Sequence, residues 1–161
     1  MESDSAAHEL GSLRVTAVRS TAEMEDALSV RRAVFIAEQG VTEVEEIDAY
    51  DGDPRQVTSA LHVVAYLDGL PAATGRLLLD APDGENAHIG RVAVLREHRR
   101  RGLGRAVMLA LQDEARRKGY RGATIAAQLQ AAPFYESLGY VAYGKVFLDA
   151  RIEHRLMDLQ L

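Results

Sequence analysis

Few architectures accommodate the middle of this chain, where an apolar strand runs into arginines and glycines and then into a helix. Val92-Ala93-Val94 is followed by Arg99-Arg100-Arg101-Gly102-Leu103-Gly104-Arg105. Leu103, Val107, Leu111 and Ala115 then recur at helical spacing up to Gly119, where a C-cap belongs. The first turn of a helix leaves N–H groups unpaired and carries partial positive charge, so it binds phosphate. Gly102 and Gly104 lack side chains and let a pyrophosphate approach the backbone, and Arg101 and Arg105 flank it with full charges. A dinucleotide fold would carry its glycines after the first strand and an acid about 20 residues on, and a P-loop would carry a lysine and a hydroxyl. Neither pattern is present, which turns the expectation away from NAD and from a magnesium-bound nucleoside triphosphate. The bland alternative for residues 96–105 is a solvated charged turn.

The flanking sequence predicts a mixed sheet. Residues 13–18 alternate as a first strand, and Ser20 with Glu23 makes a capping box for a helix carrying Met24, Leu28, Val34 and Phe35 to near Gly40. Residues 41–59 are acidic and turn-rich, long for a plain connection, and so either functional or mobile. Strands over about 61–67 and 72–79 flank a hairpin turn at 68–71, and 88–95 makes the next strand. A short strand at 124–127, a short helix over 131–138 and strands over about 141–148 and 154–160 complete the pattern. The expected fold is α/β (α+β): a mixed, mostly antiparallel sheet of about seven strands with helices on both faces. One domain over 13–161 would follow a loose tail at 1–12.

At 161 residues, 47% hydrophobic and 27% charged, the chain has the balance of one globular domain. Its apolar runs, such as 61–67, fall far short of the roughly 18 residues of a membrane span. The acidic start Met1-Glu2-Ser3-Asp4-Ser5 is unlike a signal peptide, so a cytoplasmic protein with no membrane partner is expected. A formal net charge of -5 argues against nucleic acid, and the arginine run lacks interleaved aromatics. With no cysteine, a disulfide framework, a thiolate metal site and an acyl-cysteine intermediate are all excluded, and no metal is expected.

Arg99-x-x-Gly102-x-Gly104, with its strand before and helix after, resembles the coenzyme A motif Gln/Arg-x-x-Gly-x-Gly/Ala of the GNAT superfamily of acetyl-CoA-dependent N-acetyltransferases. At the expected distance, Phe134-Tyr135-Glu136-Ser137-Leu138-Gly139-Tyr140 is similar to that superfamily's Phe-Tyr-x-x-x-Gly-Phe segment. The two segments and their order span about 88–140. Three further pieces resemble the ElaA-like branch. Residues 31–39 match Arg-x-x-Val-Phe-x-x-Glu-Gln, and Asp48 and Asp51 fall in its acidic region. Residues 147–154 stand against a Glu-Asp-Gly-Ile-Pro-His stretch, with the glycine and proline replaced.

The resemblance implies roles. Val92, Ala93 and Val94 would hold the acetyl and pantetheine arm of acetyl-CoA, the co-substrate, with the Val94 N–H polarising the thioester carbonyl. The turn from Arg99 through Arg105 would hold the pyrophosphate, and Phe134 would belong to the same coenzyme site. Gln128 stands where many members have asparagine, which puts a side-chain contact to the pantetheine in question. Tyr135 matches the general acid: a phenol is protonated at neutral pH and can donate to the departing thiolate. The attacking amine is charged at pH 7 and must lose a proton. Glu38, Asp48, Asp51, His88 and His154 are candidate bases, with Glu38 and His154 favoured by the branch resemblance. Each singled-out residue also has a structural reading: Tyr135 a core tyrosine, His154 a satisfied histidine, Glu38 a partner of Arg31 or Arg32.

Without a cysteine nucleophile, transfer would be direct, within a ternary complex. The rival reading is a non-catalytic domain that binds acetyl-CoA or a protein, against which Tyr135 and the intact glycines weigh. The acceptor is open among a small amine, an antibiotic, a peptide N-terminus and a lysine side chain. The acidic loop with Glu43, Glu45, Glu46, Asp48 and Asp51 hints at a cationic one. The sequence leaves the oligomeric state open, a homodimer being common in the family.

Overall fold

The computed structural model describes residues 12–161. Its strands are β1 (Leu13–Ala17), β2 (Ala60–Leu67), β3 (Leu70–Leu78), β4 (Ala87–Val94), β5 (Gly122–Gln128), β6 (Val141–Asp149) and β7 (Ile152–Gln160). Its helices are α1 (Thr21–Arg31), α2 (Glu43–Glu46), α3 (Leu103–Arg117) and α4 (Ala132–Ser137). The seven strands form one sheet in the order β1-β2-β3-β4-β5-β7-β6. Only β4 and β5 run parallel; every other neighbouring pair is antiparallel. The predicted architecture is the observed one. Ser12, assigned to the tail by its sequence, instead exchanges hydrogen bonds of 2.8 Å with Asp68; the rest of that expected tail lies outside the described residues.

Alternation along β2 explains the two covered faces. Val63, Ala65 and Leu67 pack with Val107, Leu111 and Ala115 of α3, whereas Val64 and Tyr66 pack with Met24, Ala27 and Leu28 of α1. A strand buried on both sides reads as a continuous apolar run, as 61–67 does. The seat of α3 depends on Gly75 in β3. A Cβ there would lie 2.8 Å from Leu111 Cδ1 and from Val107 Cγ1, so the helix could not sit as close on any other residue.

Two local departures matter for the site. Ser20 caps α1 as expected, but the helix does not run unchanged to Gly40; Arg32–Glu38 widens into a π-helix. Such bulges collect at functional sites. The second departure is the acidic loop. Thr42 and Glu45 cap α2 reciprocally, and Asp48 and Asp51 do the same for the 3-10 turn Ala49–Asp51.

All five acids of that loop have cationic partners. Arg31, 1% exposed, bonds Glu46 at 2.7 Å and Asp51 at 2.6 Å. Arg76 reaches Asp48 at 2.8 Å and Asp51 at 3.1 Å, and Arg91 reaches Glu46 at 3.1 Å. Nearer the surface, Glu43 pairs with Arg32 at 2.8 Å and Glu45 with Arg151 at 3.1 Å. Burial alone would push the Asp51 carboxyl up; the hydrogen bond and charge of Arg31, aided by Arg76, hold it well below the usual carboxylate range. Glu46 is pushed up by burial, against the pull of its arginines. The charge that suggested a receptor for a cationic acceptor is thus met from within by arginines. Asp48 and Asp51, both candidate bases, are held in these ion pairs.

Candidate active site

β4 and β5 are paired only from Ala87 to Ile89 against Ala123 to Ile125, and beyond that point they part. The cause lies on the opposite edge of β4. Between the pairs Arg76↔Gly90 and Thr74↔Ala93, Gly75 faces both Arg91 and Val92, a bulge that bends the strand. Arg91 has φ +52, which is uncommon for a residue with a side chain. Its guanidinium is anchored on the Glu46 carboxylate at 3.1 Å and on the Glu46 carbonyl at 3.2 Å. The buried ion network under the loop therefore grips the residue at which β4 turns away. The parted strands enclose a cleft of about 760 Å³.

One wall of the cleft is the end of β4. Val92, Ala93 and Val94 all line it. The Leu95 N–H donates to Ala72 O at 2.9 Å, so by strand alternation the Val94 N–H turns the other way, into the cleft. Past this strand, Arg100 and Gly102 both adopt positive φ, +64 and +84, and the chain swings directly into α3. Gly102 offers no side-chain cap, so the first N–H groups of α3 stay open where Leu103, Gly104 and Arg105 border the cleft. Arg99 and Arg100 line the same end, whereas Arg101 is exposed and outside it. Gly104 sits against α4: a Cβ there would come within 3.3 Å of Phe134 Cζ.

Phe134 and Tyr135 form the opposite wall at this end. Their rings meet edge to face at 5.0 Å, and Tyr135 meets Tyr140 in the same manner at 5.9 Å. Tyr135 is 7% exposed, yet its hydroxyl opens on the cleft. Burial pushes this phenol above its ordinary value, so it stays protonated well into the alkaline range.

The far end of the cleft belongs to His154, Ile152, Asp149, Phe35 and Gln39. His154 Nδ1 lies 2.7 Å from Ile152 O, and its ring stacks on Phe147 at 5.8 Å. A carbonyl can only accept, so Nδ1 carries the proton and Nε2 of the neutral ring keeps its lone pair. The geometry thus brings Tyr135 and His154 to one cavity. It does not bring Glu38 there. That carboxylate lines a separate, smaller cavity and holds Arg99 in an ion pair of 2.7 Å, while Arg99 Nε donates to Val94 O at 3.0 Å. His88 is exposed at the start of β4, outside the cleft.

Gln128 faces Gln39 instead of standing free. Their side-chain amides exchange hydrogen bonds of 2.8 and 3.2 Å, tying the end of β5 to the end of the π-helix. Arg91, Gln39 and Asp149 have no role in the sequence reading. Gln39 lies in a matched signature; Arg91 carries no local signal, because its task depends on pairing with a residue 45 positions away.

No helix among the described residues is long and apolar enough to cross a membrane. Residues 24–140 match the model of the Acetyltransferase (GNAT) family. The chain is 35% identical over 146 residues to YjcF of Bacillus subtilis, described as an uncharacterized N-acetyltransferase, which covers 90% of this chain and 98% of that protein. Among solved structures, an acyl-CoA N-acyltransferase from Pseudomonas aeruginosa superposes with TM-score 0.74 at 29% identity, covering 91% of this chain and 99% of that one. Escherichia coli ElaA superposes with TM-score 0.76 at 23% identity over 91% and 99%, a likeness of fold. A bulged strand, an uncapped glycine turn and a tyrosine across the cleft are thus joined by a match over most of the sequence, and the chain belongs to the acetyltransferase (GNAT) family.

Proposed function

We propose that this acetyltransferase moves an acetyl group from acetyl-CoA directly to a primary amine, within a ternary complex. The observation that carries the reading is the convergence on one cleft of open α3 amides, the β4 end, the Tyr135 hydroxyl and His154 Nε2. The uncapped turn with Arg99, Arg100 and Arg105 suits a pyrophosphate. His154 Nε2 takes a proton from the attacking ammonium, directly or through water. The amine nitrogen then bonds to the thioester carbon, whose oxygen is held by the Val94 N–H. The carbon–sulfur bond breaks, Tyr135 donates its proton to the sulfur, and the second proton lost by the nitrogen, carried through water, restores the phenol. Glu38 serves to fix Arg99 against the end of β4. The signature at 31–39 supports placement in the ElaA-like branch.

The test is an acceptor panel (small amines, peptides with free N-termini, lysine peptides) with acetyl-CoA, following free thiol. At least one amine should release thiol stoichiometrically with N-acetyl product, and initial-rate lines at several acceptor concentrations should intersect. Parallel lines with an acetylated protein would defeat direct transfer. Coenzyme binding without release across the panel would favour the non-catalytic reading.

Gly104→Glu should weaken coenzyme A binding at least tenfold by calorimetry. It places a carboxylate at the anion end and crowds Phe134, whose Cζ lies 3.3 Å from the new Cβ. An unchanged affinity would move the pyrophosphate elsewhere.

A further inference from the structure

Three acids line the cleft, Glu45, Glu46 and Asp149. Two are already engaged: Glu46 by Arg31 and Arg91, at 2.7 and 3.1 Å, and Glu45 by Arg151 at 3.1 Å. Asp149 has neither an ion pair nor a side-chain hydrogen bond among the described residues, although Arg151 stands only two positions away and is held by Glu45 instead. A solvated carboxylate needs no partner and usually no explanation. This one shares a cavity and a sheet face with the imidazole placed at the acceptor end.

The hairpin of β6 and β7 sets the spacing. Asp149 lies opposite Ile152 and Phe147 opposite His154, so all four side chains stand on one face. Asp149 and His154 are diagonal neighbours, with Cβ atoms about 7–8 Å apart in such a pair. His154 is 8% exposed, and its Nε2 has no protein partner. The Nδ1 edge of the ring is turned to Ile152 O at 2.7 Å, so Nε2 is directed away from the Asp149–Ile152 pair. The carboxylate and Nε2 therefore do not converge on one nitrogen. Between them Ile152 offers an apolar surface, and Phe35 lines the same end of the cavity. A cation holder, an apolar stretch and a proton acceptor follow one another along the face. We propose that the acceptor carries a second cation, held by the Asp149 carboxylate with an aliphatic spacer against Ile152, a site that rests on the reading of this end as the acceptor's. The ligand class is a short diamine, with one nitrogen at Asp149 and the reacting one at His154 Nε2.

Calorimetry on the full chain with saturating coenzyme A compares cadaverine, a diamine with a five-carbon chain, with pentylamine, which lacks the second nitrogen. The parent should bind the diamine about fivefold more tightly, the upper range for an exposed charge pair. Added salt should narrow that preference. Asp149→Asn should bring the two affinities together, and Asp149→Lys should turn the preference toward the monoamine by repulsion. Asp149 is exposed and bonds no other side chain, so neither change burdens the fold. A parent that binds both amines alike, or neither, overturns the proposal, and so does a diamine preference that survives in Asp149→Asn. Thiol release from acetyl-CoA is read separately. Diamine binding that depends on Asp149 but releases no thiol would defeat acetyl transfer and leave this site standing. Equal binding and equal acetylation of the two amines would keep acetyl transfer and remove the site.

Discussion

Arg31→Met should lower the stability of the fold by about 3–5 kcal/mol, the cost of leaving buried charges without their partner. At about 2–4 °C per kcal/mol for a domain of this size, the thermal midpoint should fall by about 6–20 °C. The effect is large because Arg31 is the shared cation of two carboxylates whose side chains are 4% and 1% exposed, Glu46 and Asp51. Arg76 still touches Asp51 and Arg91 still touches Glu46, which places the expectation toward the lower end. The pH dependence has a definite sign. A carboxyl held below its unfolded value of about 3.9 stabilises the fold above that pH and ceases to as the pH falls through its folded value. Asp51 is such a group. The difference between parent and variant should therefore be full at neutral pH and shrink below about 3.9. A midpoint within 2 °C of the parent's, as thermal scans resolve it on the scale of about 2–4 °C per kcal/mol, would mean that the network adds nothing net.

That network was the part of the molecule least legible beforehand. Charge is visible in a sequence, but pairing is not. Glu46 and Asp51 meet Arg31 across 15 and 20 positions, and Glu45 meets Arg151 across 106. Five acids in a row of turns look like an exposed receptor until the arginines arrive from α1, β3 and β4. The π-helix at Arg32–Glu38 and the bulge at Arg91 were hidden for the same reason, since each is a local distortion imposed by distant packing.

The legible parts were those whose physics is local. Period-two and period-3.6 patterns located seven strands, with ends displaced by a residue or two, and both long helices, the first of which gives way to the π-helix after Arg31. The glycine turn was readable because a helix start needs nothing remote to bind an anion. Tyr135 was readable from its segment, and its opening on the cleft follows from α4 standing directly after β5. Glu38 is legible only as far as its segment. It lies in a matched signature, yet one turn of helix decides which of two cavities a side chain enters, and here that turn is a π-helix.

Tyr135→Phe separates chemistry from packing more cleanly than any other change at this site. The ring keeps its edge contacts with Phe134 at 5.0 Å and Tyr140 at 5.9 Å, and the hydroxyl makes no bond on which the fold depends. Coenzyme binding should therefore change little. Turnover should fall by about 10²–10⁴, the usual contribution of a positioned acid, and by at least tenfold even if water substitutes in part. Burial also makes the phenol a weaker acid than a free one, whose value is about 10, whereas a thiol's is about 8.5. Its proton is consequently delivered late, to a sulfur already carrying most of its charge. Because the group stays protonated, its ionisation should cause no loss of rate below about pH 10. An alkaline limb that appears earlier and vanishes in the phenylalanine variant would contradict the burial argument. A turnover number unchanged in that variant, measured where chemistry limits the rate, would make Tyr135 a packing residue and leave the thiolate to depart unassisted.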